Sequence, residues 1–402
     1  MELGTNSMKS LFMLDSNVTH LNHGSFGACP KEVFNSLVKW QEILEKDPVK
    51  HLAFDVFEHL DKSREALSLY VKCYKDDIAF FPNPSTALNT VLRSLDLDKG
   101  DEVLTTDHEY GAMDRAWRFI CKKRGSVYIN QHISLPLTSK EQFIHEFKKG
   151  ITKNTKVIFL SHITSPTALV FPVKEICEIA RERNIITIID GAHAPAQLDI
   201  DILDIDPDFY CGACHKWMCS PKGVAFLYVR KEFQKQIDPL VISWGYESEN
   251  PSHSQFLDYL QWQGTYDMSA YLTIPDTIDF LNNNNWDIMA KECRKLNLWA
   301  KDKILSEIDT ESLSVDSFLG QMSSFYLDLK GPVTDQYKID FYNKYQTQVL
   351  FVNWNNRSLF RISIQAYNNK QDIYKLIEDL KHFQNKEIYI TKAYSILELE
   401  SY

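Results

Sequence analysis

Lys216 sits in the run Cys211-Gly212-Ala213-Cys214-His215-Lys216-Trp217, and Asp190 closes the almost wholly apolar run Ile185-Ile186-Thr187-Ile188-Ile189. An amine and a carboxylate delivered to one pocket by two strand ends suit pyridoxal 5′-phosphate (PLP). The amine forms an aldimine with the cofactor aldehyde, and the carboxylate keeps the pyridinium nitrogen protonated so that the ring draws electrons from a substrate α-carbon. A lone lysine and a lone aspartate are more often a solvated surface group and a helix N-cap, so the assignment rests on what else the chain supplies.

Three further groups suit the same chemistry. Asn83-Pro84-Ser85-Thr86 follows the apolar pair Phe80-Phe81 and opens a helical stretch; a helix N-terminus presents unpaired amides, and the Ser85 and Thr86 hydroxyls add donors for a phosphate. Hydroxyl residues cap most helices without binding anything. Tyr110, after Asp107-His108-Glu109 at a strand end, is placed either to stack on a pyridine ring or to pack in the core. Arg361, in the alternating run Phe360-Arg361-Ile362-Ser363-Ile364, suits a substrate α-carboxylate through a bidentate bond, or else is a solvent-facing strand arginine. Cys211-x-x-Cys214-His215 matches the c-type haem pattern and half of a zinc knuckle, but it lacks a second ligand pair, so no metal is expected.

The elements that must position these residues read as α/β. Helical spacing in Val33, Phe34, Leu37, Trp40 and Ile43, then in Val56, Leu60, Ala66, Leu67 and Tyr70, predicts two early amphipathic helices. Short apolar strands such as Val103-Leu104, Val157-Ile158-Phe159-Leu160 and the run ending at Asp190 then alternate with helical stretches such as 173–184, the pattern of a largely parallel sheet. Val224 to Val229 supplies another strand, and beyond it a loop-rich region leads into long helical and mixed segments. The expected organisation is an N-terminal arm over 1–25, a large domain over 26–260, and a small C-terminal domain with its connecting segment over 261–402.

The 402 residues, 44% of them hydrophobic and 12% aromatic, suffice for such a two-domain core. A formal charge of −10 argues against nucleic acid and anionic membranes as partners and leaves small anionic ligands. No apolar run approaches the roughly 18 residues of a membrane span, and no signal-peptide core opens the chain, so a cytoplasmic protein is expected. Its eight cysteines are scattered, which predicts reduced thiols.

The runs Leu21-Asn22-His23-Gly24-Ser25-Phe26-Gly27, Thr106 to Ala112, Ser161-His162-Ile163-Thr164-Ser165-Pro166, Asp190-Gly191-Ala192-His193-Ala194-Pro195, His215-Lys216-Trp217, Trp262-Gln263-Gly264-Thr265 and Arg361-Ile362-Ser363 occur in that order. Together they resemble the class V aminotransferase-fold PLP enzymes, most closely the isopenicillin N epimerase-like branch. The resemblance implies PLP fold type I (aspartate aminotransferase-like), with a mainly parallel sheet in the large domain and a smaller C-terminal α+β domain. It implies Lys216 as the Schiff-base lysine, Asp190 as the pyridinium partner, Tyr110 stacked on the ring, and His193 and Ser165 beside it. It further implies Asn83, Ser85, Thr86, His215 and the pair Gly264-Thr265 around the phosphate, the pair coming from the neighbouring subunit of a homodimer.

Arg361 would hold the carboxylate of an amino-acid substrate, with His23 and Tyr266 as further substrate-binding groups. Tyr266 stands where an arginine is common in the branch, and Asn83-Pro84-Ser85 replaces a common Asn-Ala-Thr. No cysteine occurs between Cys293 and Arg361, where desulfurases of this superfamily carry their nucleophile, so persulfide formation is not expected. The expected reaction begins with transaldimination, in which the substrate displaces Lys216 and the freed amine removes the α-proton, and an epimerase needs a second acid–base group for which His23, Tyr110 and Tyr266 are the candidates. Epimerisation or racemisation is the first reading, and β-elimination at a C–S bond or transamination are the alternatives. A catalytically silent binding protein is the non-enzyme reading.

Overall fold

The computed structural model describes residues 6–329 and 331–383; the C-terminal part of the expected small domain, and the first residues of the expected arm, lie outside the described residues. The early helical spacing forms α1 (Lys31–Lys46) and α2 (Val56–Val71). There follow β1 (Ile78–Phe81), α3 (Pro84–Ser94), β2 (Glu102–Thr106), α4 (Gly111–Arg124), β3 (Val127–Gln131), α5 (Lys140–Lys148), β4 (Thr155–Ser161), α6 (Val173–Arg181), β5 (Ile186–Gly191), β6 (Phe209–Ala213) and β7 (Ala225–Val229).

These seven strands form one sheet in the order β1-β7-β6-β5-β4-β2-β3. Neighbours from β6 through β3 are parallel, while β7 runs antiparallel to both β6 and β1. The central strands are continuous apolar runs because both faces of the sheet are covered, and every residue of β6 and β7 is buried. In such a sheet the loops after the carboxyl ends of parallel strands gather at one edge of the core, where ligands bind. Asp190 at the end of β5, Lys216 just after β6, Ser165 after β4 and Tyr110 after β2 all fall there.

Beyond β7, α7 (Gln255–Gln261), α8 (Ile274–Asn283) and the long α9 (Trp286–Glu307) lead to a second, three-stranded antiparallel sheet of β8 (Met322–Leu327), β9 (Leu350–Trp354) and β10 (Arg357–Ser363), ordered β9-β10-β8. α8 packs against α1 and α2, closing the large body from the other side. The alternation around Arg361 does not give it a solvent-facing side: β10 is the middle strand, and from Ser358 onward it is buried on both faces.

The N-terminal segment joins the two sheets. Thr19 and His20 pair with Thr347 and Gln348, and Leu21 accepts from the Ser363 amide at 2.8 Å. The chain then crosses the Lys216 turn at Gly27, where φ is +69° and a Cβ would lie 2.1 Å from the His215 carbonyl oxygen and 2.9 Å from the Lys216 Cα. With ψ at 168°, this conformation belongs to a region that is essentially reserved for glycine. Gly27→Ala should therefore cost at least about 1–3 kcal/mol from backbone strain and push the Lys216 turn away. Thermal unfolding should show a lowered midpoint together with reduced cofactor content, and a variant as stable and as fully loaded as the parent would contradict this close approach.

Candidate active site

The turn that presents Lys216 is fixed by its own backbone: the Ser220 amide donates to Cys214 O at 3.1 Å and the Cys219 amide to Lys216 O at 3.0 Å. Trp217, wholly buried, pins the turn to the core. Lys216 Nζ lies 3.2 Å from His193 Nε2, and Trp217 Nε1 donates to the other nitrogen of that imidazole, Nδ1, at 3.2 Å. No carboxylate forms an ion pair with Lys216 among the described residues. Burial pulls its ammonium down to about 8, and the charge of Arg361 pulls in the same direction.

Asp190 is buried at the sheet centre, and its Oδ1 accepts from the Ala192 amide at 3.0 Å. Its Oδ2 takes no hydrogen bond from the described residues. Burial raises its pKa, opposed by the Ala192 amide and the charge of Lys216. Beneath it lies a carboxyl group not anticipated from the sequence. Glu109 is buried, accepts from Thr106 Oγ1 at 2.7 Å and from the Ser161 amide and hydroxyl at 2.9 and 2.5 Å, and Ser161 is the β4 residue in register with Asp190. Burial pushes Glu109 up to about 7, with the neighbouring Asp190 adding to the rise. Nothing in the spacing of Asp107-His108-Glu109-Tyr110 marks this acid; only the register of two strands does.

Arg361 is 1% exposed and has no carboxylate partner among the described residues. Its Nη1 donates to the Ser165 carbonyl at 2.6 Å and reaches the Ser165 hydroxyl at 3.4 Å, while Nε is buried without a hydrogen-bond partner among the described residues. Burial lowers this guanidinium to about 10. Gly24 lets the N-terminal segment pass beside it, since a Cβ there would lie 3.1 Å from Arg361 Nη2. An orphaned, buried cation has room for one obvious partner, a carboxylate brought by a ligand.

The expected phosphate cradle lies at the start of α3. Asn83 is the N-cap, its side chain accepting from the Thr86 amide at 2.8 Å and from the Thr86 hydroxyl at 3.1 Å. The cap engages Asn83 Oδ1 only, and neither Asn83 Nδ2 nor the Ser85 hydroxyl makes a hydrogen bond among the described residues. His215 donates from Nδ1 to Val224 O at 2.8 Å, and burial favours its neutral form, so Nε2 carries a lone pair and donates to a phosphate oxygen only if the ring is protonated there. Tyr110 is the N-cap of α4 and is 48% exposed, with no hydrogen-bond partner for its hydroxyl among the described residues.

Two expected substrate contacts are placed differently. His23 is fully buried behind the Lys216 turn, its Nε2 3.0 Å from Lys216 O and its Nδ1 3.0 Å from the Tyr367 hydroxyl, so neither nitrogen is free for a substrate. Tyr266 turns into its own subunit, packs edge-on against Tyr271 and donates to Gln261 O at 3.4 Å. Gly264 and Thr265 are not in the Lys216 pocket. Thr265 is exposed and borders a separate groove of about 800 Å³ with Val49, Leu52, Phe57, Trp244 and Trp262.

The residues present fit PLP. An amine poised near neutrality, a buried carboxylate with one free oxygen, a helix N-terminus with a free hydroxyl donor, and a guanidinium without an ion pair among the described residues each match one part of the cofactor or of an amino-acid substrate. Because the neutral amine is the nucleophile, cofactor-free protein should take up PLP at a rate that rises with pH through about 8 and then levels off. Stopped-flow absorbance checks this, and a rate still climbing toward 10.5, the ordinary lysine value, would contradict the site's electrostatics.

Comparison with known proteins agrees with this geometry. The family profile "Aminotransferase class-V" matches residues 29–376. The isopenicillin N epimerase of Amycolatopsis lactamdurans is 30% identical over 92% of this chain and 96% of its own length. A putative L-cysteine desulfhydrase of Oryza sativa subsp. japonica is 30% identical over 67% of this chain and 58% of its own. Among solved structures, the cystine C–S lyase C-DES in complex with cysteine persulfide superposes with a TM-score of 0.79 at 19% identity, covering 91% of this chain and 97% of that one, a likeness of fold. The chain belongs to the class V aminotransferase family and is a pyridoxal phosphate-dependent enzyme of fold type I.

Proposed function

We propose that the protein inverts the α-carbon of an amino acid or amino-acid derivative, with Lys216 and Tyr110 as the two acid–base groups. The observation that carries this reading is their placement about Asp190. Lys216 follows β6 and Tyr110 follows β2, which lie on opposite sides of β5 in the sheet, and the Tyr110 hydroxyl has no partner among the described residues. The near full-length similarity to isopenicillin N epimerases supports the same reaction class.

When bound, PLP holds the substrate's amino group and takes up the electron pair left at the α-carbon. Arg361 receives the substrate carboxylate in a buried site where charge-assisted bonds are strong, and so fixes which bond at the α-carbon faces Lys216. Asp190 Oδ2 keeps a proton on the ring nitrogen. Lys216 Nζ accepts the α-proton, and the Tyr110 hydroxyl delivers a proton from the β2 side.

A second reading is favoured by the placement of His23 and Tyr266. With both engaged inside the subunit, Lys216 alone suffices for elimination of a β-thiol, the activity named for the L-cysteine desulfhydrases. The two reactions separate in deuterated water. Epimerisation gives inverted, α-deuterated amino acid; elimination gives a keto acid and a released thiol. Tyr110→Phe should lower inversion by about 10²-fold or more, the usual worth of a general acid, while Lys216-dependent exchange with retention persists. Unimpaired inversion in that variant would remove Tyr110 from the mechanism, and keto acid production that ignores the variant would establish the lyase.

The active site is proposed to be completed across a homodimer, with Gly264 and Thr265 reaching the phosphate of a second copy. Gly264 has φ of +104°, and among the described residues outside its chain neighbours nothing lies within 4 Å of where a Cβ would stand; Thr265 lies on a groove whose wall includes Trp244, 86% exposed. Mixing Lys216→Ala with Thr265→Ala chains should restore activity in hybrid dimers to well above either parent. Absence of complementation, with dimers verified by sedimentation, would place the Thr265 function within its own subunit.

A further inference from the structure

We infer that Trp217 is a positioning residue that sets the tautomer of His193, so that an imidazole N–H rather than a lone pair faces Lys216. An indole Nε1–H only donates. Its approach to His193 Nδ1 at 3.2 Å therefore requires a lone pair on that nitrogen. A neutral imidazole then carries its proton on Nε2, the atom 3.2 Å from Lys216 Nζ.

The ring is held for this task. Gln197 Nε2 donates to the His193 carbonyl at 2.9 Å, and the Trp217 ring is itself wholly buried against the His23 ring, centroids 5.0 Å apart. Burial, Lys216 and Arg361 all act to keep His193 uncharged. An ammonium has donors only, so two N–H groups would meet head-on across that contact. The neutral amine alone accepts the bond. With the opposite tautomer His193 would offer a lone pair to a charged lysine and hold the nucleophile in its inactive form. The chain Trp217 to His193 to Lys216 thus has one polarity, imposed by the only member that cannot accept.

This holds for either reaction, since it concerns the protein before substrate binds. In cofactor-free protein labelled with [15N]histidine, with His193→Gln used to assign the signals, His193 should show an unprotonated Nδ1 and a protonated Nε2. The reverse pattern would overturn the inference without any substitution of Trp217. Competitive acetylation of Lys216, read by mass spectrometry, supplies the consequence. Trp217→Phe, with its fold checked by circular dichroism, frees His193 to change tautomer and should raise the lysine titration; at pH 8 labelling should fall about fivefold for a shift of one pKa unit. In the His193→Gln background the same Trp217→Phe change should have little further effect. Unchanged labelling in the single variant, or an equal fall in the His193→Gln background, would show that Trp217 acts by packing alone.

Discussion

Two cationic side chains share one dry pocket without a carboxylate between them, and the rest of the site follows from how that conflict is resolved. Leaving a buried charge uncompensated costs several kcal/mol. Arg361 does not give up its proton at physiological pH, and it is only 1% exposed. Lys216 can yield, and it does, with burial first and Arg361 second drawing its pKa to about 8. The outcome is one fixed cation and one amine that reaches its neutral, nucleophilic form near pH 8 rather than near the ordinary lysine value. Asp190 is close enough to temper the lysine but makes no bond to it, which keeps its Oδ2 available to a ring nitrogen.

The pocket exists only because two sheets meet. Lys216 and Asp190 come from the ends of parallel strands in the large sheet, while Arg361 comes from the middle strand of the small one. The segment from Leu21 to Gly27 stitches them together. It bonds to Ser363 beside the arginine, then passes under the Lys216 turn. Glycines stand at two close approaches: a Cβ at Gly24 would press on Met322 and Ser363 and lie 3.1 Å from Arg361 Nη2, and one at Gly27 would collide with the His215 carbonyl. The Arg361 guanidinium and the Lys216 amine are thereby held in one frame by a stretch of chain between Leu21 and Gly27.

Much of this was legible in the sequence where a residue's own neighbours decide its place. The apolar run ending at Asp190 had to be a buried strand, and the alternation around it had to give a parallel sheet, so the position of Asp190 and Lys216 at the strand ends followed. Asn83-Pro84-Ser85-Thr86 was readable as a helix start for the same reason. What escaped were features set by long-range register and packing. Glu109 matters because Ser161 and Asp190 face each other across β4 and β5. His23 was read as a substrate contact, yet it is consumed by Lys216 O and Tyr367, partners distant in sequence. Trp217 is part of the core, yet its single polar atom is directed at His193, a contact that no local pattern marks.

The most direct test of the account is to load the protein with PLP, reduce it with borohydride, and map the modified residue by peptide mass spectrometry. The account predicts loss of the visible band together with a pyridoxyl group on Lys216 and on no other lysine. A band that resists reduction, or a label carried by a different lysine, would contradict the assignment on which the whole site is built.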